Sequence, residues 1–311
     1  MSAQAQRSRP RVSAVIVSFN TCPELLRCLG SLRGVRLPIE IVVVDNGSAD
    51  DSVERVRREH QEVRVLENRE NLGFAAANNR GIAQATSPAV LILNSDAEVR
   101  PGAVEAMVEI LDARPEVGVV GPRTLNPDGT AQLSFGPSLT PIAEWLQRRR
   151  VRAVARRRPR ALRRLDHECQ HELQPSWVSG SCMLARREAL SAVGGFDEGF
   201  FLYEEDVDLC LRIRQAGWRV LYTPRAEVIH HLGRSAAREP WRVRLEYHKS
   251  HLRYYAKHNG ARQLALLRVV LAVRSLRGWL GAWLQAGALR TERMRHHAAV
   301  LKLALGRPWS G

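Results

Sequence analysis

Four carboxylates crowd into five positions of the segment FFLYEEDVDLCLR, and they are the first residues that suggest chemistry. They are Glu204, Glu205, Asp206 and Asp208. The whole chain has a formal net charge of +15, so this local negative charge is unusual. Such a group typically neutralises a cation, caps a helix or holds a base with a shifted pKa. The apolar spacing that follows predicts a helix ending near Gly217, whose dipole would favour one or two of the acids in its first turn.

Two more carboxylates end runs of apolar residues that are typical of buried strands. Asp45 ends IEIVVVD and Asp96 ends VLILNSD. Together with VSAVIVSF and the helical patterns between these runs, they predict an α/β fold with a mostly parallel, Rossmann-like central sheet flanked by helices. Ligands of such sheets bind beyond the carboxyl ends of the strands. We therefore expect Ser18, Asn20, Asp45 and Asp96 to lie close together.

Several classes of protein are disfavoured by what the sequence lacks. No GxGxxG follows the first strand, which argues against a nicotinamide oxidoreductase. The 5 cysteines contain no CxxC pair, which argues against a disulfide framework or a thiolate zinc site. No run of eighteen apolar residues occurs, and MSAQAQRSRPR lacks the apolar stretch of a signal peptide. These features predict a cytoplasmic protein.

Basic charge is concentrated in two segments of the chain. The stretch 145–165 is rich in arginine and contains no acid, and it predicts a mobile surface insert. Basic residues also far outnumber acids from Arg238 onward, which leaves an acidic remainder. Basic segments attract polyanions, so nucleic acid and an anionic membrane surface are both candidate partners.

Seven blocks in a fixed order resemble glycosyltransferase family 2, and within it bacterial rhamnosyltransferases. They are VIVSFN, VVVDNGSADDS, ENLGFAAANNRG, LILNSDAEVRPGA, GSCMLARREAL, GGFDEGFFLYEEDVDLCLR and VIHHLGRS. The resemblance implies a GT-A fold, a nucleotide-diphospho-sugar donor, a divalent metal (Mg²⁺ or Mn²⁺) and inversion at the anomeric carbon. It also implies a catalytic domain over 1–235 with an Arg-rich insert at about 141–175. Residues 236–311 would then form a basic amphipathic helical extension.

The resemblance also implies roles at the acceptor side. Asp206 would be the base that takes the proton of the acceptor hydroxyl, and the neighbouring acids would raise its pKa toward the working pH. Glu205 would bind acceptor hydroxyls, with the role of base as its alternative. Trp177 and Gly180 fall where relatives shape the acceptor pocket, and an indole can stack on a sugar face.

On the donor side, the resemblance implies that Asp45 accepts a hydrogen bond from the pyrimidine ring and that Asp96 binds the metal. His230 would be a second metal ligand, since neutral imidazole can coordinate. Many relatives show Asp-x-Asp where this chain has Asn94-Ser95-Asp96, so a single carboxylate would hold the ion. The expected donor-binding set is Ser18, Asn20, Asp45, Gly73, Asn78 and Asp96.

Each assignment has a structural alternative. Asp45 would close a turn, Asn20 and Asn78 would cap helices, and His230 and Trp177 would be part of the core. At the level of function, the alternatives are a basic nucleic-acid-binding protein and an inactive glycan-binding relative.

The substrates and the location follow from the resemblance and from the basic segments. The resemblance favours dTDP-rhamnose as donor, with UDP-galactofuranose or a UDP-hexose as alternatives, and a polyprenyl-diphosphate-linked glycan as acceptor. The segment 262–290 is too interrupted by arginine to span a bilayer, and it predicts a helix lying on the inner face of the cell membrane. Its alternatives are a helix packed on the catalytic domain and a homodimer contact.

Overall fold

The computed structural model of the chain describes residues 9–231, 240–283 and 288–306, which fall into two compact units. The first unit comprises residues 9–199 and 205–231. The second comprises residues 200–204 together with the described residues from 240 onward. The boundary expected between Ser235 and Ala236, and the end of the block VIHHLGRS, lie outside the described residues.

The first unit alternates strands and helices, as its apolar runs predict. Its elements are β1 (Val12–Ser18), α1 (Cys22–Leu32), β2 (Ile39–Asp45), α2 (Ser52–Glu59), β3 (Arg64–Glu67), α3 (Phe74–Gln84), β4 (Ala89–Asn94), β5 (Ala97–Val99), α4 (Ala103–Ala113), β6 (Val117–Leu125), β7 (Phe135–Gly136), α5 (Pro141–Ala155), α6 (Pro159–Cys169), β8 (Trp177–Val178), β9 (Cys182–Arg186), α7 (Arg187–Val193), α8 (Glu205–Gln215) and β10 (Arg219–His230).

Eight of these strands form one sheet in the order β3-β2-β1-β4-β9-β6-β10-β5. The pairs β1/β2, β1/β4, β2/β3 and β6/β10 are parallel, whereas β9 runs antiparallel between β4 and β6, and β5 runs antiparallel to β10. The strands β1 and β4 are almost fully buried, because helices cover both faces of the sheet. The mostly parallel architecture predicted from the sequence is confirmed.

The register of the sheet brings the chemistry-bearing loops to one edge. Ser18 pairs with Asp45 across β1 and β2, and Val17 pairs with Asn94 across β1 and β4. Because all three strands run in the same direction, their carboxyl ends and the loops that follow them lie side by side.

The Arg-rich segment, which its composition predicts to be a mobile surface insert, forms two helices, α5 and α6. Leu165 and Cys169 are spaced i, i+4 and are both buried, at 1% and 0% exposure, where they pack with Phe135. Several of the arginines also have acidic partners: Arg150 lies 2.5 Å and Arg164 2.9 Å from Glu168. The apolar i, i+4 pair anchors α6, and these ion pairs offset part of the positive charge of the segment.

The second unit is helical. It contains α9 (Pro240–His258), α10 (Gly260–Ala282) and α11 (Ala288–Ala304). Leu245 of α9 and Ala299 and Val300 of α11 form a small buried cluster. Among the described residues, no helix combines the length and the apolar character needed to cross a membrane.

Candidate functional site

A chain of hydroxyl groups connects the ends of β1 and β4. The Ser18 hydroxyl lies 3.1 Å from the Thr21 hydroxyl, which lies 2.9 Å from that of Ser95. All three residues are buried. Ser18 therefore fastens the loop after β1 to the loop that carries Asp96, and the predicted proximity of these loops is observed.

Asp45 has one satisfied and one unsatisfied carboxylate oxygen. Its side chain is only 3% exposed, and its Oδ2 accepts a 3.0 Å hydrogen bond from the Ser48 backbone N–H. Its Oδ1 is buried without a hydrogen-bond partner. Leaving a buried acceptor unsatisfied costs on the order of 1–3 kcal/mol. The turn explains one oxygen, and a ligand N–H would satisfy the other.

The loop after β2 is held by Asn20. The Asn20 backbone adopts a left-handed conformation, with φ of 54°. Its side-chain Oδ1 accepts a 2.8 Å hydrogen bond from the Ala49 N–H, and its own N–H donates to the Ser48 hydroxyl at 2.9 Å. Asn20 therefore shapes the loop beside Asp45.

Gly73 and Asn78 lie at the start of α3. Gly73 has φ of 84°, which glycine adopts without strain, and its carbonyl accepts a hydrogen bond from Asn46. Asn78 is 1% exposed, and its amide donates a 2.9 Å hydrogen bond to the Phe74 carbonyl within the helix. Its Oδ1 is buried without a hydrogen-bond partner, so this side chain, like Asp45, retains an acceptor for a ligand.

A network of asparagines that the sequence did not reveal supports this side of the site. The Asn46 amide donates to Asn71 Oδ1 at 2.8 Å, and Asn68 donates to Asn46 Oδ1 at 2.8 Å. Asn71 Oδ1 also accepts from the Gly73 N–H at 3.0 Å. The turn after β2 and the loop before α3 are thus locked together. The only sequence signal was the repeated occurrence of Asn in two neighbouring loops.

Asp96 and His230 face each other at the edge of the sheet. Asp96 Oδ1 lies 3.2 Å from His230 Nε2, and both side chains are mostly buried, at 9% and 12% exposure. β5 pairs with the end of β10 so that Ala97 lies opposite His230. This antiparallel pairing brings together two residues that are far apart in the chain.

Gln132 determines which nitrogen of His230 carries the proton. The Gln132 amide nitrogen donates to the carbonyls of Leu125 and His230, at 3.3 and 2.6 Å. Its Oε1 is therefore the acceptor that lies 3.2 Å from His230 Nδ1. The neutral imidazole then carries its proton on Nδ1 and presents the lone pair of Nε2 to Asp96.

The carboxylate and the imidazole lie close enough to bind one cation together, and a divalent metal ion fits this donor set. A carboxylate and an imidazole with a hydrogen-bonded second nitrogen are ordinary metal ligands. Within the described part of the chain, no group of three or more His, Cys, Asp or Glu side chains is arranged to hold a metal. Asp96 and His230 would therefore need ligands from a substrate or from water.

The cysteines are buried thiols. The described chain has 5 free cysteines, and all are buried. Burial raises the pKa of Cys182 and of Cys210 to about 12, and that of Cys22 to about 11. At neutral pH these thiols are protonated, and a thiol must lose its proton to act as a nucleophile or a metal ligand.

Asp206 lies in the first turn of α8, and two backbone N–H groups hold its carboxylate. Gly180 N–H donates to Oδ2 at 2.8 Å, and Val207 N–H donates to Oδ1 at 2.8 Å. The loop that contains Gly180 is joined to the strand-end cluster, because the Asn94 N–H donates to the Ser181 carbonyl at 2.9 Å. Asn94 Nδ2 in turn lies 3.3 Å from His230 Nε2. Short contacts thus lead from the Asp96–His230 pair to Asp206.

The acids around Asp206 have partners of their own. Asp208 is fully buried, and its carboxylate lies 2.7 Å from the Arg212 guanidinium one turn along α8. Glu204 lies 2.8 Å from His251 in the helical unit. Each of these two acids therefore has a nitrogen of another side chain beside it, and the expectation that the neighbouring acids raise the pKa of Asp206 stays a prediction.

The two residues that precede α8 have strained backbones. Tyr203 and Glu204 adopt left-handed conformations, with φ of 69° and 66°. For residues other than glycine, each such conformation costs roughly 1–3 kcal/mol. Strain of this kind is concentrated at functional sites, where the surrounding structure maintains it.

Trp177 lies in β8, and Gly180 lies in the turn that follows this strand. Trp177 Nε1 donates a 3.0 Å hydrogen bond to the Pro137 carbonyl, and its ring covers Gly136 so closely that a Cβ there would lie 2.6 Å from it. Trp177 is partly exposed and also packs against the core, and its role at an acceptor site stays a prediction. Gly180 is buried beside Asp206.

Comparison with known proteins gives consistent matches. Residues 13–194 match the family model described as Glycosyl transferase family 2. N-acetylglucosaminyl-diphospho-decaprenol L-rhamnosyltransferase of Mycobacterium tuberculosis is 35% identical over 282 residues, which cover 84% of this chain and 90% of that protein. Rhamnosyltransferase WbbL of Escherichia coli is 44% identical over 84 residues, which cover 26% of this chain and 31% of that protein.

A solved structure matches nearly the whole chain. Mannosyltransferase PcManGT from Pyrobaculum calidifontis, in complex with GDP-Man and Mn²⁺, superposes with a TM-score of 0.59 at 19% identity. The match covers 97% of this chain and 88% of that one. At this identity, the likeness establishes the fold.

Proposed function

The chain belongs to glycosyl transferase family 2 and has the GT-A fold, and from this we propose that it transfers rhamnose from dTDP-rhamnose, with inversion, to a hydroxyl of a lipid-linked glycan. The observation that carries the proposal is the arrangement at one edge of the sheet. Asp45 offers an unsatisfied acceptor, Asp96 and His230 form a pair suited to a cation, and Asp206 is connected to that pair through Asn94 and the Gly180 loop.

On the donor side, Asp45 Oδ1 would accept a hydrogen bond from the ring N–H of the pyrimidine. Asn20 and the asparagine network hold the loops on either side of Asp45. Ser18, Gly73 and Asn78 complete the proposed donor site. The buried, unsatisfied oxygens of Asp45 and Asn78 support this assignment, because each is an acceptor that a ligand would satisfy.

Asp96 and His230 would hold the divalent ion. When bound, Mg²⁺ or Mn²⁺ would stabilise the negative charge of the leaving diphosphate. Gln132 supports this role, because it keeps the proton of His230 on Nδ1 and leaves Nε2 able to coordinate.

Asp206 would act as the base. The oxygen of the acceptor hydroxyl forms a bond to the anomeric carbon while the bond from that carbon to the diphosphate oxygen breaks, and the hydroxyl proton passes to Asp206. Attack from the face opposite the leaving group inverts the anomeric configuration. The N–H groups of Gly180 and Val207 orient the carboxylate, and Glu205, Trp177 and Gly180 would bind the acceptor.

The choice of rhamnose rests on the relatives. The mycobacterial protein at 35% identity is named as an L-rhamnosyltransferase acting on N-acetylglucosaminyl-diphospho-decaprenol. We extend both the sugar and a polyprenyl-diphosphate-linked acceptor to this chain, which places it in the synthesis of cell-envelope polysaccharide. Galactofuranose or a hexose from a UDP-sugar is the alternative donor.

A panel of nucleotide sugars tests the donor. Purified full-length protein is incubated with dTDP-rhamnose, UDP-galactofuranose, UDP-hexoses and GDP-mannose, and with an N-acetylglucosaminyl-diphospho-polyprenol acceptor. We expect mass spectrometry to show the addition of one deoxyhexose, with the inverted anomeric configuration by NMR. Transfer of a hexose instead would replace the rhamnose assignment, and no transfer from any donor would refute the proposed reaction.

We also propose that the protein works at the inner face of the cell membrane, attached through α10. Large apolar side chains are exposed along one face of this helix: Leu266, Val269, Val270, Val273, Leu276, Leu280 and, at its C-terminal end, Trp283. The opposite face carries the buried Leu267 and Leu271. No acid occurs in α10, whereas four arginines do. An apolar face accompanied by arginine is typical of helices that lie in a lipid interface.

A further inference from the structure

The segment 200–204, which leads directly into α8, is held by α9 of the helical unit. Phe200 is 1% exposed, and the charged ends of Arg253 and Lys257 lie 5.3 and 5.8 Å from the centre of its ring. The Ser250 hydroxyl donates a 2.8 Å hydrogen bond to the Leu202 carbonyl. Both the side chains and the backbone of this segment are therefore anchored.

The strongest of these anchors is the pair of Glu204 and His251. Glu204 is 6% exposed and His251 is fully buried, and Oε1 of the carboxylate lies 2.8 Å from Nδ1 of the imidazole. The imidazole lies between the rings of Tyr247 and Tyr255, at centroid distances of 5.6 and 5.0 Å. A charge-assisted hydrogen bond in such a dry environment is strong and directional.

The backbone of this segment is strained at Tyr203 and Glu204, and the side chains of both residues contact α9. Tyr203 and Glu204 both have left-handed φ values, a conformation that residues other than glycine keep only where their surroundings impose it. The Tyr203 ring packs edge-on against Tyr247 at 5.9 Å, and Glu204 is held by His251. Contacts from α9 therefore accompany each of the two strained residues.

We propose that the Glu204–His251 pair is a positioning device for Asp206. Glu204 is followed by Glu205 and Asp206, the first residues of α8, so fixing its side chain and its backbone fixes where the first turn of α8 begins. Glu204 and His251 are positioning residues and not catalytic residues. The inference rests on the proposed role of Asp206 as base, and it assigns the helical unit a part in the reaction.

The test compares Glu204→Ala, His251→Ala, the double variant and the conservative His251→Gln. The control is His258→Gln on the same helix, where the His258 ring packs beside Tyr254. Each single alanine change should lower kcat by about 10- to 100-fold, the scale of a small misplacement of a reacting group. The KM for the donor should stay within about two-fold, because this pair lies outside the donor site. The double variant should be no slower than the slower single variant. His251→Gln keeps an N–H donor and should recover much of the loss, and His258→Gln should match wild type.

A second readout does not depend on transfer. Hydrogen exchange of the amides of residues 200–206, measured without substrate, should speed up in Glu204→Ala and His251→Ala and stay slow in His258→Gln. Unchanged exchange and unchanged kcat in a folded His251→Ala protein would overturn the proposal, as would losses that add in the double variant. A fall in kcat matched by weaker donor binding and faster exchange throughout the chain would also overturn it, because it would indicate general unfolding. If wild-type protein transfers no sugar, the proposed function fails, and the exchange data alone decide whether the pair holds the segment.

Discussion

The backbone N–H of Gly180 donates a 2.8 Å hydrogen bond to Oδ2 of Asp206. This contact joins the turn between β8 and β9 to the first turn of α8, and it fixes the carboxylate from outside its own helix. The second oxygen is held by the Val207 N–H, so the side chain is oriented before any substrate binds. A base that is oriented in advance needs little reorganisation in the transition state.

Asp206→Asn should abolish most transfer. The amide keeps the size of the side chain but cannot accept the acceptor's proton, so we expect kcat to fall by about 10²-fold or more. Donor binding, measured by calorimetry with the nucleotide diphosphate, should persist. Asp112→Asn, an exposed surface position, serves as the control. Turnover close to wild type in Asp206→Asn would refute the assignment of the base.

Gly180→Ala should reduce kcat with little effect on donor affinity. An added Cβ would lie 3.3 Å from the Asp206 Cβ and 3.3 Å from the Phe74 ring, so the carboxylate or the turn must shift. We expect a loss of roughly 10-fold, because small displacements of a reacting group are costly. Gly30→Ala is the matched control, because no atom lies within 4 Å of its added Cβ. Equal activity of both variants would show that the contact does not position the base.

Asp45→Asn should weaken donor binding. The change removes the charge from an acceptor that is buried and unsatisfied, and hydrogen bonds to charged groups contribute about 1.5–3 kcal/mol. We therefore expect the Kd for thymidine diphosphate to rise by roughly 10-fold or more, while the melting temperature stays near that of wild type. An unchanged Kd would leave Asp45 with only its role in the turn.

Chelation should remove activity, and added Mg²⁺ or Mn²⁺ should restore it. Asp96→Ala should raise the metal concentration needed for half-maximal activity steeply, because it removes the one carboxylate of the pair. Gln132→Ala should raise it by about 10-fold or more, since the hydrogen bond that orients His230 is lost. Full activity in excess EDTA would show that the reaction does not depend on a metal.

Leu276→Glu/Leu280→Glu should release the protein from anionic vesicles. Both side chains are about half exposed on α10, so the changes should leave folding intact. Wild-type protein should sediment with anionic vesicles at low salt and much less at high salt, because each basic residue near the surface adds about 1 kcal/mol. Leu305→Glu, an exposed apolar position at the end of α11, is the control.

The same variants distinguish a membrane from a second copy of the chain. If the exposed face of α10 is a dimer contact, sedimentation without lipid will show a dimer in wild type and a monomer in the double glutamate variant. Equal vesicle binding by wild type and the double variant would remove the membrane role from this face.

The strand runs, the order of the motif blocks and the residue types at the strand ends sufficed to predict the parallel sheet and the grouping of Ser18, Asn20, Asp45 and Asp96. These are local features, because a short apolar run is buried in a sheet whichever strands lie beside it. The carboxyl ends of parallel strands then meet without any further information. Family membership, carried by the same blocks, was confirmed by the comparisons.

Contacts between distant parts of the chain were decided only in the folded structure. The Gln132 side chain that sets the proton on His230, the His251 imidazole that pairs with Glu204, and the Gly180 N–H that holds Asp206 come from 98, 47 and 26 residues away. Nothing in the local sequence signals these partners, because a hydrogen bond depends on distances of a few ångströms that only tertiary packing creates. The four clustered acids illustrate the difference: their positions in the first turn of α8 and just before it followed from helical periodicity, whereas the partner of Glu204 required the fold.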